Sequence, residues 1–503
     1  MMKIKLLLFI LPVFFLAACQ EKEHELPDNT DPVNVPRYAS NMSFHSNLLS
    51  TNIAFDILLP EDYVSDTDKR YPVVYCFHGY GNDNTSWNNG SLTLESKVQS
   101  MEKKGLQPMI YVIPNGLKSY FCDRFNGSYQ YMTMLVSEFI PYIDKSYRTI
   151  ADKQHRAIIG YSMGGFGSIA TAMQHPDMFC ASAGLSISMR TDEQYMTESQ
   201  SAWDNQWGRI FGGSGTTGKD RLTDYYKSIC PLHQFTAENV SKYSGVEWFI
   251  CCGDNEKTLL YGNDDLHTMM VENGYVHEYR VGEGGHSESY WNPMLNEIIP
   301  WFAYVMDGGK DWEQSTYDVN VPAGYTPSAN GIYVSEGYTN TSEDKALYLF
   351  YKDVQKAWID DAIAILQRGI QKKKFVILPC DTSEKTPEEW VALYSAQYPA
   401  GTMQAVALGK GASATLLAQS HFSTLYFDNA SFDSTDALQV DKNRYYYLSQ
   451  CDQNPDCAGT NALYKACKES EASFDYRCRN HLNDTRTDFL TGIEYIKASL
   501  RNF

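Results

Sequence analysis

The sequence predicts an α/β fold with a mostly parallel sheet that helices cover on both faces. Between Tyr38 and Met306, apolar runs with strand character alternate with helical patterns. Near-continuous apolar strands are typical of parallel sheets buried on both sides. A strand, a glycine-rich turn and a helix follow one another around Ser162, and a second α/β pattern begins at Ala346. Active sites in such sheets lie at the carboxyl ends of the strands, so residues that directly follow a strand are the first candidates for function.

The N-terminal residues have the pattern of an export signal. Lys3 and Lys5 precede an apolar run that ends at Ala17-Ala18-Cys19, and this run is too short to be a permanent membrane-spanning helix. Small residues before a cysteine resemble the lipobox of bacterial lipoproteins, which implies a signal peptide over 1–18 and a lipid anchor on Cys19. The alternative is ordinary secretory cleavage with Cys19 incidental. The polar residues up to 37 predict a solvated tether, and the expected location is the cell envelope, at the outer membrane, facing the periplasm or the exterior.

Seven apolar runs are the strand candidates of the first half, and they predict a catalytic domain over 38–306. They span 53–59, 71–77, 109–113, 156–159, 180–185, 248–252 and 277–281. The segment Ser186–Val246 interrupts the alternation of strand and helix candidates and is rich in tryptophan and glycine. An insertion of that size beside the sheet is a candidate lid or substrate-binding cap. The range 307–345 is rich in Gly, Pro, Ser and Thr and predicts a linker.

Charge and cysteine content exclude some classes of function. The net charge of −19 argues against nucleic acid as a partner, since a phosphate backbone selects for a basic face. Cys76, Cys251 and Cys252 lie in apolar runs and are predicted to be reduced core residues. A polar C-terminal stretch contains Cys451, Cys457, Cys467 and Cys478, among which a disulfide fits an oxidising compartment. Zinc is the alternative there, but the spacing matches no common ligand pattern, so no metal site is predicted.

The candidate nucleophile is Ser162, within the segment 158–167 (IIGYSMGGFG). An apolar strand precedes it, a helical pattern follows it, and glycines stand where backbone segments must pass closely, as a nucleophile elbow requires. Such a turn lifts the hydroxyl out at the end of the strand, and the helix N-terminus favours negative charge on the substrate oxygen. The alternative is a serine in an ordinary glycine-rich turn.

A serine hydroxyl needs a base to take its proton and a carboxylate to orient that base. His286 follows the strand over 277–281 in the glycine-rich loop GEGGHS and is the candidate base. An exposed loop histidine is the alternative. The turn after the strand over 248–252 offers two acids, Asp254 and Glu256. In this order along the chain, nucleophile, acid and base match the order of the α/β-hydrolase fold.

The turn after the second strand candidate, FHGYG over 77–81, is the candidate oxyanion turn. It can direct the backbone amide of Tyr80, together with that of Met163, at the oxyanion of a tetrahedral intermediate. His78 is predicted to be structural. Trp87, shortly downstream, is a candidate for lining the substrate pocket, with core packing as the alternative.

Four segments together resemble the esterase D and feruloyl esterase-like family. They are YPVVY leading to His78-Gly79, the elbow around Ser162, Cys252–Glu256 and Gly284-Gly285-His286. The resemblance covers about 42–306 and implies an α/β-hydrolase that cleaves carboxylic esters, including feruloyl and acetyl groups on plant polysaccharides, without metal or cofactor. In this family the acid usually stands three residues after the strand-end glycine, which implies Glu256. Most members have aspartate there, so Asp254 remains the alternative acid.

The second half resembles the first. Ala405–Ala414 stands where the elbow would, with Gly411 replacing the serine, and Phe350-Tyr351-Lys352-Asp353 stands where the oxyanion turn would. Without a hydroxyl or an oxyanion turn, the range 346–503 is predicted to be a degenerate, non-catalytic hydrolase-like domain. An unrelated α/β module with similar turns is the alternative.

These observations predict a serine esterase whose partner is an ester substrate, an acylated carbohydrate by the resemblance, and which is attached to the membrane by its lipid. A serine peptidase or an acyltransferase would use the same three residues. A glycan-binding lipoprotein with vestigial hydrolase residues is an alternative of another class, because an aromatic content of 14% would also suit stacking on sugars.

Overall fold

The structure, a computed structural model, describes residues 36–282, 284–309, 330–369, 374–432, 438–451, 457–479 and 485–500. The predicted signal peptide, Cys19 and almost all of the predicted tether lie outside these ranges. Within them, no helix combines the length and the apolar character needed to cross a membrane.

Eight strands of the first half lie in the spatial order β1-β2-β4-β3-β5-β6-β7-β8. Their bounds are β1 (Tyr38–Ser46), β2 (Thr51–Leu58), β3 (Val73–Phe77), β4 (Ile110–Pro114), β5 (Arg156–Tyr161), β6 (Ala181–Leu185), β7 (Glu247–Gly253) and β8 (Glu278–Gly282). β1 and β2 are antiparallel to their neighbours, and the strands from β4 to β8 are parallel. The mostly parallel sheet confirms the predicted fold class.

The helices of the first half connect these strands. They are α1 (Leu94–Glu102), α2 (Tyr131–Met134), α3 (Ile140–Ser146), α4 (Met163–Gln174), α5 (Asp192–Thr197), α6 (Gln200–Ala202), α7 (Gly208–Phe211), α8 (Asp224–Ile229), α9 (Pro231–Gln234), α10 (Val240–Tyr243), α11 (Lys257–Glu272) and α12 (Glu288–Met306). Turns with π geometry join α2 to α3 and α6 to α7.

Alternate residues of each central strand enter two different cores, as the period of two in a strand requires. In β3, Val73 and Tyr75 pack into one core and Val74 and Cys76 into the other. The first core also contains apolar residues of α4, and the second contains those of α1 and α12. Both faces of the sheet are therefore covered, which explains why β3 to β7 read as continuous apolar runs.

The segment 186–246 forms a layer of short helices, α5 to α10, beside the carboxyl end of the sheet. Its interior is aromatic: Tyr195 contacts the rings of Trp203, Trp207 and Phe211. It is tied to the rest of the first half through Tyr80, whose hydroxyl donates to the carbonyl of Asn205 at 3.2 Å. We call this layer the cap.

In its described ranges the second half contains seven strands and five α-helices. The strands are β9 (Tyr333–Val334), β10 (Lys345–Tyr351), β11 (Phe375–Asp381), β12 (Thr402–Leu408), β13 (Thr424–Asp428), β14 (Tyr445–Cys451) and β15 (Ser473–Arg479). The helices are α13 (Lys356–Gly369), α14 (Pro387–Gln397), α15 (Ala412–Leu417), α16 (Cys457–Glu469) and α17 (Thr485–Ser499). β9 lies within the predicted linker yet pairs with β11. The second half therefore begins before Ala346.

The second half repeats the strand order of the first. Its order, β9-β11-β10-β12-β13-β14-β15, matches β2-β4-β3-β5-β6-β7-β8 position by position. The directions match as well, because β9 is antiparallel to β11 as β2 is to β4, and the remaining neighbours are parallel. This common topology supports the internal resemblance that the sequence predicted.

The two halves meet edge to edge and form one fifteen-stranded sheet in the described ranges. β15 pairs antiparallel with β8 through Cys478 and Val281. Each half thereby covers an edge strand of the other, which would otherwise expose unpaired backbone groups. We call this contact the seam.

Candidate active site

Ser162 stands between β5 and α4 in a strained turn. Its φ is 55° and its ψ is −116°, a combination that L residues rarely adopt and that is found at functional turns. Neighbouring glycines make the turn possible, because a Cβ on Gly160 would lie 2.1 Å from the carbonyl oxygen of Gly164. The amide of Ser162 donates to the carbonyl of Leu185 at 2.8 Å, which fixes the turn against β6.

The structure brings Ser162, His286 and Glu256 together in one hydrogen-bonded row. The Ser162 Oγ lies 2.8 Å from His286 Nε2, and His286 Nδ1 lies 2.6 Å from Glu256 Oε2. The Glu256 side chain is 1% exposed, whereas the imidazole is 38% exposed. The row therefore runs from a buried carboxylate through a partly exposed imidazole to the Ser162 hydroxyl.

Glu256 is held by groups that sequence reasoning missed. Its Oε1 accepts hydrogen bonds from the Ser186 hydroxyl at 2.6 Å and from the Gly253 amide at 3.0 Å. The Trp291 indole donates to the Ser186 hydroxyl at 2.8 Å, and its ring meets His286 edge to face with 5.0 Å between centroids. Ser186 and Trp291 belong to no motif; the only local signal is that Ser186 directly follows β6, where functional residues of parallel sheets gather.

Asp254, the alternative acid, points elsewhere. Its Oδ1 accepts a hydrogen bond from the Gly284 amide at 3.0 Å, and its Oδ2 pairs with Arg477 of β15. Both side chains of this ion pair are largely buried. The carboxylate thus ties the loop that carries His286 to the second half of the chain, and the imidazole takes Glu256 as its partner.

The predicted oxyanion turn lies beside the elbow. A Cβ on Gly164 would approach the Phe77 carbonyl oxygen to 2.4 Å, so the turn and the start of α4 touch. Among the described residues, neither the Tyr80 nor the Met163 amide donates to an acceptor. His78 is buried and joins this turn to the loop after β4: its Nδ1 lies 2.8 Å from the Gly79 carbonyl, and its Nε2 accepts from the Gly116 amide at 2.8 Å. Burial lowers the pKa of His78, which keeps the ring neutral in this role.

The prediction that Trp87 lines the substrate pocket is wrong. The side chain is 0% exposed, and its ring packs edge to face on Tyr161 beneath the elbow, with 5.2 Å between centroids. Trp87 is a core residue because its short helical turn points inward, a direction that the sequence pattern around it does not specify.

The cysteines predicted to be reduced core residues are buried thiols. Cys76, Cys251 and Cys252 are 0% exposed, and burial raises the pKa of each thiol, since the charged thiolate is disfavoured away from water. In the C-terminal stretch Cys451, Cys467 and Cys478 are buried, and the side chain of Cys457 lies outside the described residues. No disulfide joins Cys451, Cys467 and Cys478 to one another, so the predicted disulfide is not found among these three residues.

In the second half the position equivalent to Ser162 is Gly409, and the prediction of Gly411 is corrected. Gly409 directly follows β12 and has a φ of 50°, close to that of Ser162. Gly411 instead matches Gly164, because a Cβ on it would lie 2.7 Å from the Phe350 carbonyl oxygen. The prediction was two residues off because glycines occupy both positions.

A buried ion pair, Arg479 with Asp428 at 2.7 Å, lies at the ends of β15 and β13. The segments after β14 and β15, where acid and base would stand, lie at 452–456 and 480–484, outside the described residues. The absence of a hydroxyl at Gly409 is consistent with the predicted loss of catalysis in this half, which remains a prediction.

Known proteins match the first half of the chain. An esterase of Mycobacterium tuberculosis is 25% identical over 261 residues, which cover 48% of this chain and 54% of that protein. An endo-1,4-beta-xylanase/feruloyl esterase of Xylanibacter ruminicola is 33% identical over 133 residues, 25% of this chain and 18% of that protein. An acetyl esterase of Caldicellulosiruptor saccharolyticus is 23% identical over 280 residues, 53% of this chain and 98% of that protein. The chain spans about half the length of the mycobacterial relative.

Among solved structures, a ferulic acid esterase is 28% identical, with a TM-score of 0.45 over 53% of this chain and 98% of that one. The family model "Putative esterase" matches residues 46–302, just over half of the 503 residues. This range contains Ser162, Glu256 and His286. The match confirms the resemblance to esterases that the motifs predicted, and the chain belongs to this esterase family.

Proposed function

We propose that the chain is a serine carboxylic-ester hydrolase that works through an acyl-enzyme on Ser162. The observation that carries the proposal is the row Ser162, His286 and Glu256, with heavy-atom distances of 2.8 and 2.6 Å. These are hydrogen-bonding distances at which a general base can take the proton of a nucleophile. Membership of the esterase family supports the same reaction class.

In the first half-reaction Ser162 Oγ attacks the ester carbonyl carbon while His286 Nε2 takes the hydroxyl proton. The negative charge that develops on the carbonyl oxygen is stabilised by the amides of Tyr80 and Met163. Collapse of this intermediate breaks the bond to the alcohol oxygen, which leaves with the proton from His286. In the second half-reaction water attacks the acyl-enzyme, gives its proton to His286, and the acid leaves as the proton returns to Ser162.

Glu256 stabilises the imidazolium that forms in each step. Its carboxylate accepts from His286 Nδ1 and fixes the tautomer in which Nε2 faces Ser162. The hydroxyl of Ser186 and the amide of Gly253 hold the other oxygen of the carboxylate. The acid is therefore oriented before the substrate arrives, which is the condition for electrostatic stabilisation without reorganisation.

We propose acylated polysaccharide as the substrate class, with feruloyl or acetyl groups as the acyl part. Relatives described as feruloyl esterase and acetyl esterase support this proposal. Product analysis by mass spectrometry after incubation with methyl ferulate, acetylated xylan, short 4-nitrophenyl esters and peptides separates esterase activity from peptidase activity. Cleavage of the peptides without cleavage of any ester would overturn the assignment as an esterase. Transfer of the acyl group to an added alcohol in preference to water would overturn the assignment as a hydrolase.

The direct test of the reaction class is the variant Ser162→Ala. We expect turnover of 4-nitrophenyl acetate to fall by about 10⁴-fold or more, since the nucleophile is lost. The fold should survive, because the change removes one hydroxyl. Ser91→Ala, an exposed serine away from the row, is the matched control and should retain full turnover. Undiminished hydrolysis by Ser162→Ala would overturn the proposal.

We also propose that the chain is exported and anchored by a lipid on Cys19. The segment that supports this, Leu16-Ala17-Ala18-Cys19, precedes the described residues. Metabolic labelling with palmitate should mark the wild-type protein and leave Cys19→Ala unlabelled. Equal labelling of both proteins would contradict the proposal.

A further inference from the structure

A cavity opens beside the oxyanion turn, with Gly81 of that turn in its lining. It has a volume of about 460 Å³, within the range of about 300–1,000 Å³ that small-molecule sites occupy. Its walls come from Gly81 and Asn82 of the turn, from the loop 115–119 that follows β4, and from Tyr129. The cap closes the remaining side with Arg209.

The walls of this cavity are basic. Lys118, Arg124 and Arg209 all line it, and none of its nine lining residues is acidic. In the described part of the chain none of the three forms an ion pair with a carboxylate. The chain as a whole has a net charge of −19. A cavity with three cations and no carboxylate partner for them is therefore opposite in charge to the protein as a whole.

The loop that supplies Lys118 has an unusual backbone. In the loop and the two residues after it, 115–121, three non-glycine residues have a positive φ: Leu117 at 51°, Tyr120 at 57° and Phe121 at 55°. Each such residue costs about 1–3 kcal/mol and is retained where the surroundings hold it, which occurs most often at functional sites. Here the hydrogen bond from the Gly116 amide to His78 holds the loop against the oxyanion turn.

The cavity lies next to the proposed oxyanion turn, because its lining residue Gly81 directly follows Tyr80 in the chain. Lys118 Nζ lies 5.2 Å from the centre of the Tyr80 ring, and the Tyr80 amide is the proposed oxyanion donor. The Tyr120 hydroxyl bonds to the Ser188 hydroxyl at 3.1 Å, and the Ser188 amide donates to the Ser162 carbonyl at 3.0 Å. The loop that lines the cavity is therefore held against both the oxyanion turn and the elbow that carries Ser162.

We propose that this cavity is a subsite for an anionic group on the ester substrate, a carboxylate, phosphate or sulfate on the unit next to the one that bears the ester. This proposal rests on the proposed function. Arg124 and Arg209 present planar forks that match such oxygens in pairs of hydrogen bonds, and Lys118 adds a point charge. The exposed side chain of Leu117 offers an apolar contact for the ring that bears the group.

The test measures inhibition of 4-nitrophenyl acetate hydrolysis by four sugars of similar size. Glucose is the neutral reference, and glucuronate, glucose 6-phosphate and glucose 6-sulfate carry the three candidate groups. For each protein, the inhibition constant of glucose is divided by that of each anionic sugar, and this ratio is compared between proteins. It is measured for wild type, for the double variant Lys118→Ala/Arg209→Ala and for Lys219→Ala, which removes an exposed cation of the cap outside the cavity.

We expect at least one anionic sugar to inhibit the wild type about tenfold more strongly than glucose. In the double variant the ratio should fall to about one, and in Lys219→Ala it should stay at the wild-type value. Added salt should lower the wild-type ratio, because ions screen exposed charges. The sugar with the highest ratio identifies the group.

Equal inhibition by all four sugars in the wild type would overturn the subsite, as would a ratio that persists in the double variant. If 4-nitrophenyl acetate is not hydrolysed, the proposed function fails, and the subsite is then tested by calorimetric titration of the wild type and the double variant with the same sugars. Absence of anion-dependent binding there would overturn the subsite independently.

Discussion

At the scale of single residues, Glu256 rather than Asp254 partners the imidazole because of where each side chain can reach. Glu256 begins the turn into α11 and extends under His286, where Ser186 and Gly253 complete its hydrogen bonds. Asp254 stands two residues earlier in the same turn and faces Gly284 and Arg477. The family spacing favoured Glu256, but the sequence left Asp254 as the alternative, because the direction of each side chain depends on the fold of the turn.

A first prediction contrasts these two acids. Glu256→Gln should lower kcat for 4-nitrophenyl acetate by about 10³–10⁴-fold, since a neutral amide neither stabilises the imidazolium nor fixes the tautomer. KM should change little because the carboxylate is buried away from the substrate. Asp254→Asn is the matched control and should retain more than about a tenth of the activity. A larger loss in Asp254→Asn than in Glu256→Gln would show that the acid is assigned wrongly.

The residues that could be predicted at this scale are those with glycine-rich flanks. Ser162 and His286 stand in turns whose glycines allow a polar side chain to leave the sheet, and this pattern is visible in a sequence. Ser186 and Trp291 are not predictable in the same way, since Ser186 reaches Glu256 from one element and Trp291 reaches Ser186 from another, 105 residues away. Trp87 could not be placed either, because an aromatic residue after a loop suits a pocket and a core equally.

At the scale of elements, the elbow depends on how closely α4 approaches β3. Gly164 lets the first turn of the helix lie against the Phe77 and His78 carbonyls, where a Cβ would come to 2.4 and 2.8 Å. Both obstacles are backbone atoms, one at the end of the central strand β3 and one in the oxyanion turn that follows it, and neither can move without displacing that turn.

Gly164→Ala should therefore destabilise the fold. The added methyl group forces an overpacked contact, for which a cost of about 2–4 kcal/mol in the free energy of unfolding is expected. Urea denaturation followed by circular dichroism measures it. Gly337→Ala, where the new Cβ would meet its nearest atom at 3.7 Å, is the control and should cost less than about 1 kcal/mol. A Gly164→Ala protein as stable as wild type would refute the close approach.

The central strands could be predicted because they are buried on both faces and are therefore apolar throughout. β1 could not, since it lies at the edge of the sheet and only two of its nine residues are buried. β9, with two residues, carries no periodic signal and lies in a segment whose Gly and Pro content predicts a linker. The first of these edge strands therefore escapes prediction for lack of burial and the second for lack of length.

At the scale of the whole molecule, the seam connects the second half to the reaction site. The ion pair between Arg477 and Asp254 is largely buried, and Asp254 in turn holds the amide of Gly284, two residues before His286. Another contact between the halves, Lys465 with Glu272 at 2.5 Å, is exposed to solvent. The buried pair of Arg477 and Asp254 reaches the loop that carries the base.

Arg477→Ala should lower kcat of ester hydrolysis about threefold to tenfold with KM within about twofold, because a small displacement of the base weakens proton transfer more than substrate binding. Arg477→Lys should recover part of the loss. Lys465→Ala breaks an exposed pair and should leave kcat unchanged. If Arg477→Ala lowers only the melting temperature and leaves kcat intact, the seam does not position His286.

The seam also contains a buried histidine that should make stability depend on pH. The ring of His267 stacks on the ring of Tyr279, with 4.3 Å between centroids. His267 Nδ1 lies 2.8 Å from His277 Nε2, and His267 Nε2 lies 3.3 Å from Gln450 Nε2. Burial, with His277 as a second cause, lowers its pKa well below 6.5. Below pH 6.5 the unfolded chain binds a proton there that the folded chain does not, so this group destabilises the fold as pH falls, by about 1.4 kcal/mol per pH unit.

Nearby Asp264 acts in the opposite direction, because burial raises its pKa to about 7 and the folded chain binds its proton first. The two effects offset one another in the wild type. Comparison with His267→Gln isolates the contribution of the histidine. The free energy of unfolding of wild type, minus that of the variant, should fall by about 2 kcal/mol between pH 7 and pH 5. Urea denaturation at both values measures it, and an advantage that is constant or grows toward pH 5 would contradict a neutral buried His267.

The central claim is that Ser162 is a nucleophile activated by His286, and labelling with a fluorophosphonate followed by peptide mass spectrometry tests it most directly. The account predicts a single adduct on Ser162, no adduct in Ser162→Ala, and labelling slowed by about 100-fold or more in His286→Ala, since the base then no longer takes the proton. An adduct on another residue, or equally fast labelling in His286→Ala, would contradict it.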